Sequence, residues 1–267
     1  MKKIIAIDID GTLYNDEKKI TQKTKAALLQ AQQNGHILVL ASGRPTAGLK
    51  KIAKELAMDQ HHGLLLAYNG GIVIDYTSGE VLYKNTIPNE LAKQLLHHLE
   101  RVAVNPIVDD GQTIYTTDPE SFMVPYERTS NHLEVKKVTD LCDAIDFSPA
   151  KILIAAPEQI LSENIAFIKK PFQDKLSFVL SAPFYLESTP LGINKADSME
   201  KICTLLKTTA SNVIAFGDAQ NDIPMLAFAG TSIAMGNACD SLKRIADIVT
   251  ASNNEDGIAL ALERIAL

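Results

Sequence analysis

The sequence predicts an α/β protein: a doubly wound, mostly parallel sheet core interrupted by an inserted α+β segment. Three observations lead there. Apolar runs of four to seven residues alternate with helix-period segments at both ends of the chain. The middle of the chain changes grammar, to strands joined by a Gly-containing turn. Polar groups close four of the predicted strands, which is where ligands sit in such sheets.

Taken in order, "KIIAI" (3–7) is an isoleucine-rich buried strand. Residues 21–34 form a helix with Thr21 as N-cap and Gly35 just past its end. "HILVLAS" (36–42) is a second buried strand, and Pro45 opens a helix running to about Leu56. "LLLAYNGG" (64–71) is a third strand ending in glycines. Near the other end, Ala196 to Leu206 is a helix, "NVIAFGD" (212–218) a strand, and Pro224 to Phe228 a short helix. The strands "TSIAMG" and "ADIVT" follow, and then a last amphipathic helix over 255–265. These two parts complete one sheet, giving a core of residues 1–86 and 190–267. Between them, 87–189 carries the strand pair in "NPIVDDGQTIYTTD", the strand "KILIAA", a helix over 157–169 and the strand "LSFVLS".

Composition bounds the function. The chain has 267 residues, 46% of them hydrophobic and 22% charged, enough for a substantial core. Its net charge of −6, with no stripe of Lys and Arg, argues against nucleic acid as a partner. Cys142, Cys203 and Cys239 are widely spaced, without a CxxC pair, and read as reduced core thiols. "MKKIIAI" loses its apolar character at Asp8, too early for a signal peptide, and no run approaches a membrane span. The expectation is a cytoplasmic protein with no membrane partner.

The chemistry is expected at the strand ends. Asp8 and Asp10 stand one residue apart after the first strand. Like charges that close require a cation, a proton, or both. "GDAQND" adds Asp218 and Asp222, and hard oxygen donors of this kind suit Mg²⁺ shared with a substrate phosphate. Asp222 by itself reads as a turn or helix cap. A carboxylate can act as nucleophile and form an aspartyl phosphate, with a neighbour handling protons. "ASGRP" sets the Ser42 hydroxyl and the amides around Gly43 at a helix start, a phosphate site or an ordinary cap. Lys195 stands at the start of a helix, where a cation is unfavourable unless an anion joins it. Asn69 closes the third strand. No GxxxxGK[ST] or GxGxxG fingerprint is present.

In the order "DIDGTL", "SGR", Lys195 and "GDAQND", these residues resemble the four motifs of haloacid dehalogenase superfamily phosphatases. "NGG", the insertion after it, and the tail "MGNA…ADIVTASNNEDGIA" are similar to the Cof-type branch with a C2 cap. The resemblance covers essentially the whole chain. It implies a Rossmann-like core with an inserted α+β cap, and a Mg²⁺-dependent phosphatase acting on a small phosphorylated metabolite. It also implies roles. Asp8 would be the nucleophile and a metal ligand; Asp10 would be the acid/base, with its backbone carbonyl on the metal. Ser42 and Lys195 would hold phosphoryl oxygens and Asn221 would lie near them. Asp218 would bind the metal, and Asp222 would do so directly or through water. Arg44 stands between substrate contact and a local structural pair. The chain has Ala196, Gly71 and Gln220 where family members often have Gly, Ala and Glu.

Sugar phosphates, flavin mononucleotide, pyridoxal phosphate and nucleotides are compatible substrates. A phosphosugar mutase or a non-catalytic phosphometabolite sensor are the rival readings. The pairs His61–His62 and His97–His98 read as surface residues rather than ligands. Oligomeric state has no sequence signature here.

Overall fold

The structure is a computed structural model that describes residues 2–266. In chain order its strands are β1 (Ile4–Ile7), β2 (Ile37–Ala41), β3 (Leu64–Ala67), β4 (Ile72–Asp75), β5 (Val81–Lys84), β6 (Asn105–Asp109), β7 (Thr113–Thr116), β8 (Glu134–Lys137), β9 (Ile152–Ala155), β10 (Leu176–Ala182), β11 (Tyr185–Pro190), β12 (Val213–Gly217), β13 (Thr231–Ala234) and β14 (Ile248–Val249). The helices are α1 (Gln22–Gln33), α2 (Thr46–Glu55), α3 (Asn89–Leu99), α4 (Val124–Asn131), α5 (Leu141–Ala144), α6 (Glu158–Lys169), α7 (Lys195–Leu205), α8 (Ile223–Phe228), α9 (Asp240–Ile245) and α10 (Gly257–Arg264). The chain divides into two compact units, 1–43 with 49–84 and 194–267, and 44–48 with 85–193.

The first unit contains one sheet of order β14-β13-β12-β1-β2-β3-β4-β5. From β14 to β3 every pairing is parallel, and β3-β4-β5 turn antiparallel. All residues of β1, β2, β3 and β12 are buried, which explains why these strands read as continuous apolar runs. The expected α/β class with a mostly parallel sheet is therefore borne out. Strand order reverses at β1, which has β2 on one side and β12 on the other. Such a switch point opens a crevice beyond the carboxyl ends of the two strands.

Two expectations need correction. The third strand stops at Ala67, and 68–70 form a tight turn instead, with Asn69 left-handed at φ 56°. The hairpin β4-β5 that follows has no counterpart in the sequence reading. Its pattern is only half buried and too short to show a clear period.

The second unit holds a six-stranded sheet of order β10-β11-β9-β6-β7-β8, antiparallel except for β7-β8. Val108, Ile152, Ile154 and Leu186 pack with Leu95 and Leu99 of α3 and Leu161 of α6. Ile107, Leu153 and Tyr185 point the other way and pack with Val124. Alternation along β6, β9 and β11 thus feeds two apolar clusters. The sequence reading missed α3, α4 and β11. Proline starts or flanks the two helices, and mixed polar character hides β11. Among the described residues no helix is long and apolar enough to cross a membrane, and the three cysteines are unpaired.

Local chemistry explains the joints. The Thr21 hydroxyl accepts from the Thr24 amide and caps α1. Asn194 caps α7 by accepting from the Asp197 amide. The 68–70 turn meets that helix start closely: Ser198 Oγ donates to the Gly70 carbonyl at 2.6 Å. Gly70 has φ +109°, and a Cβ there would lie 2.6 Å from the Asn194 carbonyl oxygen. Gly35, at φ +88°, would meet nothing within 4 Å. Gly35→Ala is expected to cost only the left-handed backbone term, about 1–2 kcal/mol. Gly70→Ala should cost more, because α7 must also retreat. Urea unfolding of both variants checks this, and equal losses would remove the close approach as a constraint.

Candidate active site

The site is built around a lysine with no exposed surface. Lys195 is the first residue of α7, where the helix dipole disfavours a cation. Two carboxylates offset this: Nζ donates to Asp8 Oδ1 at 2.5 Å and to Asp222 Oδ1 at 2.6 Å. Asp8 follows β1, and its amide continues the ladder to the Phe216 carbonyl at 3.1 Å. Asp222 is fully buried, and its Oδ2 accepts from the Asp218 and Ala219 amides at 3.0 and 3.1 Å. One acid therefore holds both the lysine and the loop that follows β12.

That loop carries Asp218, whose Oδ1 accepts from the Thr12 hydroxyl at 2.8 Å. Asp8, Asp218 and Asp222 each present a carboxylate oxygen within 4.8 Å of the others. Three carboxylates face one ammonium, so with all three ionised two negative charges would be uncompensated. Burial, reinforced by the Asp222 and Asp218 charges, pushes the Asp8 carboxyl up to about 8 despite Lys195. Burial likewise raises Asp218 to about 6, with Thr12 opposing and Asp222 adding to it. Burial alone would lower Lys195, but Asp8 and Asp222 outweigh it and hold the ammonium protonated. Hard carboxylate oxygens carrying two excess negative charges fit a divalent cation in both donor type and charge.

Asp10 lies in different surroundings from Asp8. Its side chain is 41% exposed, and Lys18 Nζ donates to Oδ1 at 3.1 Å. The adjacent acids are thus divided between two lysines, one buried and one at the surface.

The other expected residues fall in two groups. Ser42 is buried directly after β2; its amide donates to the Leu66 carbonyl and its carbonyl accepts from the Asn69 amide, both at 2.9 Å. A Cβ on Gly43 would stand 3.0 Å from Asn69 Nδ2, so these residues touch. Asn221 Nδ2 donates to Asn69 Oδ1 at 3.1 Å, linking the turns after β3 and β12. Arg44 belongs to the second unit, where Nη1 donates to the Ser130 carbonyl at 3.0 Å.

Sequence reasoning missed Thr12 and Lys18. Thr12 had a signal, since it belongs to "DIDGT" and its hydroxyl had no assigned partner. Lys18 had none: it lies in a polar turn, and only its left-handed backbone, φ 58°, turns it toward Asp10.

The chain matches a family model described as haloacid dehalogenase-like hydrolase over residues 5–262. It is similar to the crystal structure of a haloacid dehalogenase-like hydrolase from Bacteroides thetaiotaomicron, 37% identical, with a TM-score of 0.95 and coverage of 99% of this chain and 100% of that one. The 5-amino-6-(5-phospho-D-ribitylamino)uracil phosphatase YitU of Bacillus subtilis is 29% identical, over 97% of this chain and 96% of that protein. An HMP-PP phosphatase of Serratia proteamaculans is 28% identical, over 92% and 88%.

The raised carboxyls generate a stability prediction for the metal-free protein. Asp8 at about 8 and Asp218 at about 6, against 3.8, bind protons in the folded chain that the unfolded chain releases. Their contribution is complete below the unfolded value and is lost as pH rises through about 6 and then about 8. In EDTA, the melting temperature is expected to fall between about pH 5.5 and about pH 8.5. Asp8→Asn with Asp218→Asn should flatten that slope. A melting temperature that rises over this window would contradict the charge excess.

Proposed function

The chain belongs to the haloacid dehalogenase-like hydrolases, as a phosphatase of the Cof-type branch, and from that premise we propose that it hydrolyses a small phosphorylated metabolite through an aspartyl phosphate on Asp8, with magnesium as cofactor. The observation that supports this most is the negatively unbalanced group of buried Asp8 and Asp222 on one lysine with half-buried Asp218 beside them, at the switch point of the sheet. A group built only for stability would not keep two excess charges out of water.

In the proposed reaction an Asp8 carboxylate oxygen attacks the phosphorus of the ester. The bond from phosphorus to the alcohol oxygen breaks, and protonated Asp10 gives its proton to that oxygen. Asp10, now ionised, takes a proton from water, whose oxygen attacks the same phosphorus. The bond to Asp8 breaks, and inorganic phosphate leaves. Asp10 stands half-exposed outside the buried group, where it can reach the leaving oxygen and water; its pair with Lys18 must open before it carries the first proton. Lys195, the Ser42 hydroxyl and the Gly43 amide hold phosphoryl oxygens, and Asn69 and Asn221 orient that wall of the site. Asp8, Asp218 and the Asp10 carbonyl would hold Mg²⁺, which when bound neutralises charge on the transferring phosphoryl group. Asp222 supports both partners, with Lys195 on one oxygen and the 218–219 amides on the other. Arg44, bonded to Ser130, is assigned a structural part.

The relatives' names carry two different leaving groups, a ribitylaminouracil and HMP phosphate. Reaction type carries over between such proteins more readily than the leaving group does. We assign selection of the leaving group to the second unit, which contributes none of the four acids and neither of the two lysines above.

Release of phosphate from p-nitrophenyl phosphate is expected to vanish in EDTA and return with Mg²⁺. Inactivity of the Mg²⁺-loaded protein on a broad panel of phosphate esters would overturn the proposal. The two acids should fail differently when replaced. Asp8→Asn should take up no label from a labelled substrate in an acid quench. Asp10→Asn should lose about 10²–10⁴-fold in rate on alkyl phosphates; on p-nitrophenyl phosphate the loss should be smaller where phosphorylation limits turnover, and labelled protein should accumulate where hydrolysis of the intermediate limits it. Label on the Asp8→Asn protein would mean that the nucleophile lies elsewhere. Exchanging residues 88–189 for those of a relative should change the preferred ester while Mg²⁺ dependence stays; an unchanged preference would refute the assignment of selection.

A further inference from the structure

The tail "MGNA…ASNNEDG" has no part in the reaction proposed above, yet its three asparagine side chains are spent on one short stretch of chain. Asn237 Nδ2 donates to the Gly11 carbonyl at 2.8 Å. Asn237 Oδ1 accepts from the Asn253 amide at 3.0 Å, joining the two tail segments. Asn253, only 7% exposed, uses Nδ2 twice: toward the Tyr14 carbonyl at 3.0 Å and toward Asp16 Oδ1 at 3.2 Å. Asn254 answers Asp16 in both directions, with Nδ2 on Oδ2 at 3.0 Å and Oδ1 accepting the Asp16 amide at 3.1 Å.

The stretch held in this way runs from Gly11 to Asp16. It begins beside Asp10, which forms an isolated bridge with Tyr14. It leads into the turn in which the Lys18 amide donates to the Asn15 carbonyl at 2.9 Å. Both partners of the Asp10–Lys18 pair therefore sit at the ends of one clamped loop. The loop's own bonds, Tyr14 amide to the Ile9 carbonyl at 2.9 Å and Asn15 amide to the Lys19 carbonyl at 3.0 Å, shape it from within, and the asparagines brace it from outside. Amides from Asn254 and Asn253 also hold the Asp16 carboxyl below its ordinary range, as expected for a carboxylate anchored by donors.

We infer that Asn237, Asn253 and Asn254 are positioning residues which, through Gly11, Tyr14 and Asp16, hold Asp10 where it can deliver and collect the proton. This rests on the assignment of acid–base work to Asp10. Proton transfer demands a narrow heavy-atom separation, so a loop loosened by a fraction of an ångström loses rate in that step first. The Asp8 side chain is anchored through β1 and Lys195, although the Leu13 amide within the loop also donates to the Asp8 carbonyl at 3.2 Å.

The test compares Asn253→Ala with the exposed variants Asn254→Ala and Asp16→Ala, which keep the fold if burial of Asn253 proves essential. Each is assayed with Mg²⁺ on p-nitrophenyl phosphate and on the fastest alkyl ester of a metabolite panel. Expected is a loss of about 10-fold or more in kcat on the alkyl ester and under about 3-fold on p-nitrophenyl phosphate, with KM nearly unchanged. In an Asp10→Asn background the same substitutions should cost under about 2-fold more, because they act through the missing group. Hydrogen exchange should quicken in residues 10–19 and stay unchanged around Lys195. Equal losses on both esters, or losses that multiply with Asp10→Asn, would show a structural role only and overturn the inference. An Asp10→Asn protein with unaltered rates on both esters would instead remove the acid–base assignment itself, and the clamp's catalytic purpose with it.

Discussion

A single buried ammonium organises the catalytic unit. Lys195 has no exposed surface and sits where its helix dipole repels it, so its burial is tolerable only with carboxylates in direct contact. Asp8 and Asp222 meet that need from beyond the ends of two neighbouring parallel strands, Asp8 directly after β1 and Asp222 in the turn after β12. The 68–70 turn must then yield room for the start of α7, which is why Gly70 stands against the Asn194 carbonyl. The strand order, the left-handed turn and the capped helix start together bring one cation to two acids. What they leave, once the three acids are ionised, is an excess of negative charge, which in donor type and sign suits a divalent cation.

The second consequence is the separation of two acids that are almost adjacent in the chain. Asp8 is drawn into the buried group, where desolvation raises its carboxyl; Asp10 faces outward and is paired with Lys18. Unlike environments let two carboxylates take different parts in one reaction. Here the division depends on a turn of only a few residues after β1. A polar net reaching from Asn237 and from Asn253 and Asn254 secures that turn.

The comparisons agree with this picture at the level of chemistry. Relatives whose names give different leaving groups align with nearly the full chain, and a solved structure matches it with a TM-score of 0.95. The two named relatives share the removal of a phosphate and differ in the group that leaves.

How much was legible in the sequence follows the range of the forces involved. Burial on both faces writes itself into a strand as a continuous apolar run, so β1, β2, β3 and β12 and the α/β class could be read directly. Polar residues at the ends of those runs marked Asp8, Ser42, Asn69 and Asp218, because a strand's end is a local feature. The oddity of a lysine at a helix start was visible too. Its resolution was not: Asp8 lies 187 residues away along the chain, and Asp222 lies 27 away. The half-buried hairpin β4-β5 left no clear period, and the Lys18–Asp10 pair depends on a left-handed residue that composition does not reveal. Asn253 reaches Asp16 across 237 residues. Periodicity and capping act within a few residues and are written locally, whereas hydrogen bonds and ion pairs between distant segments exist only once the sheet has set the distance between them.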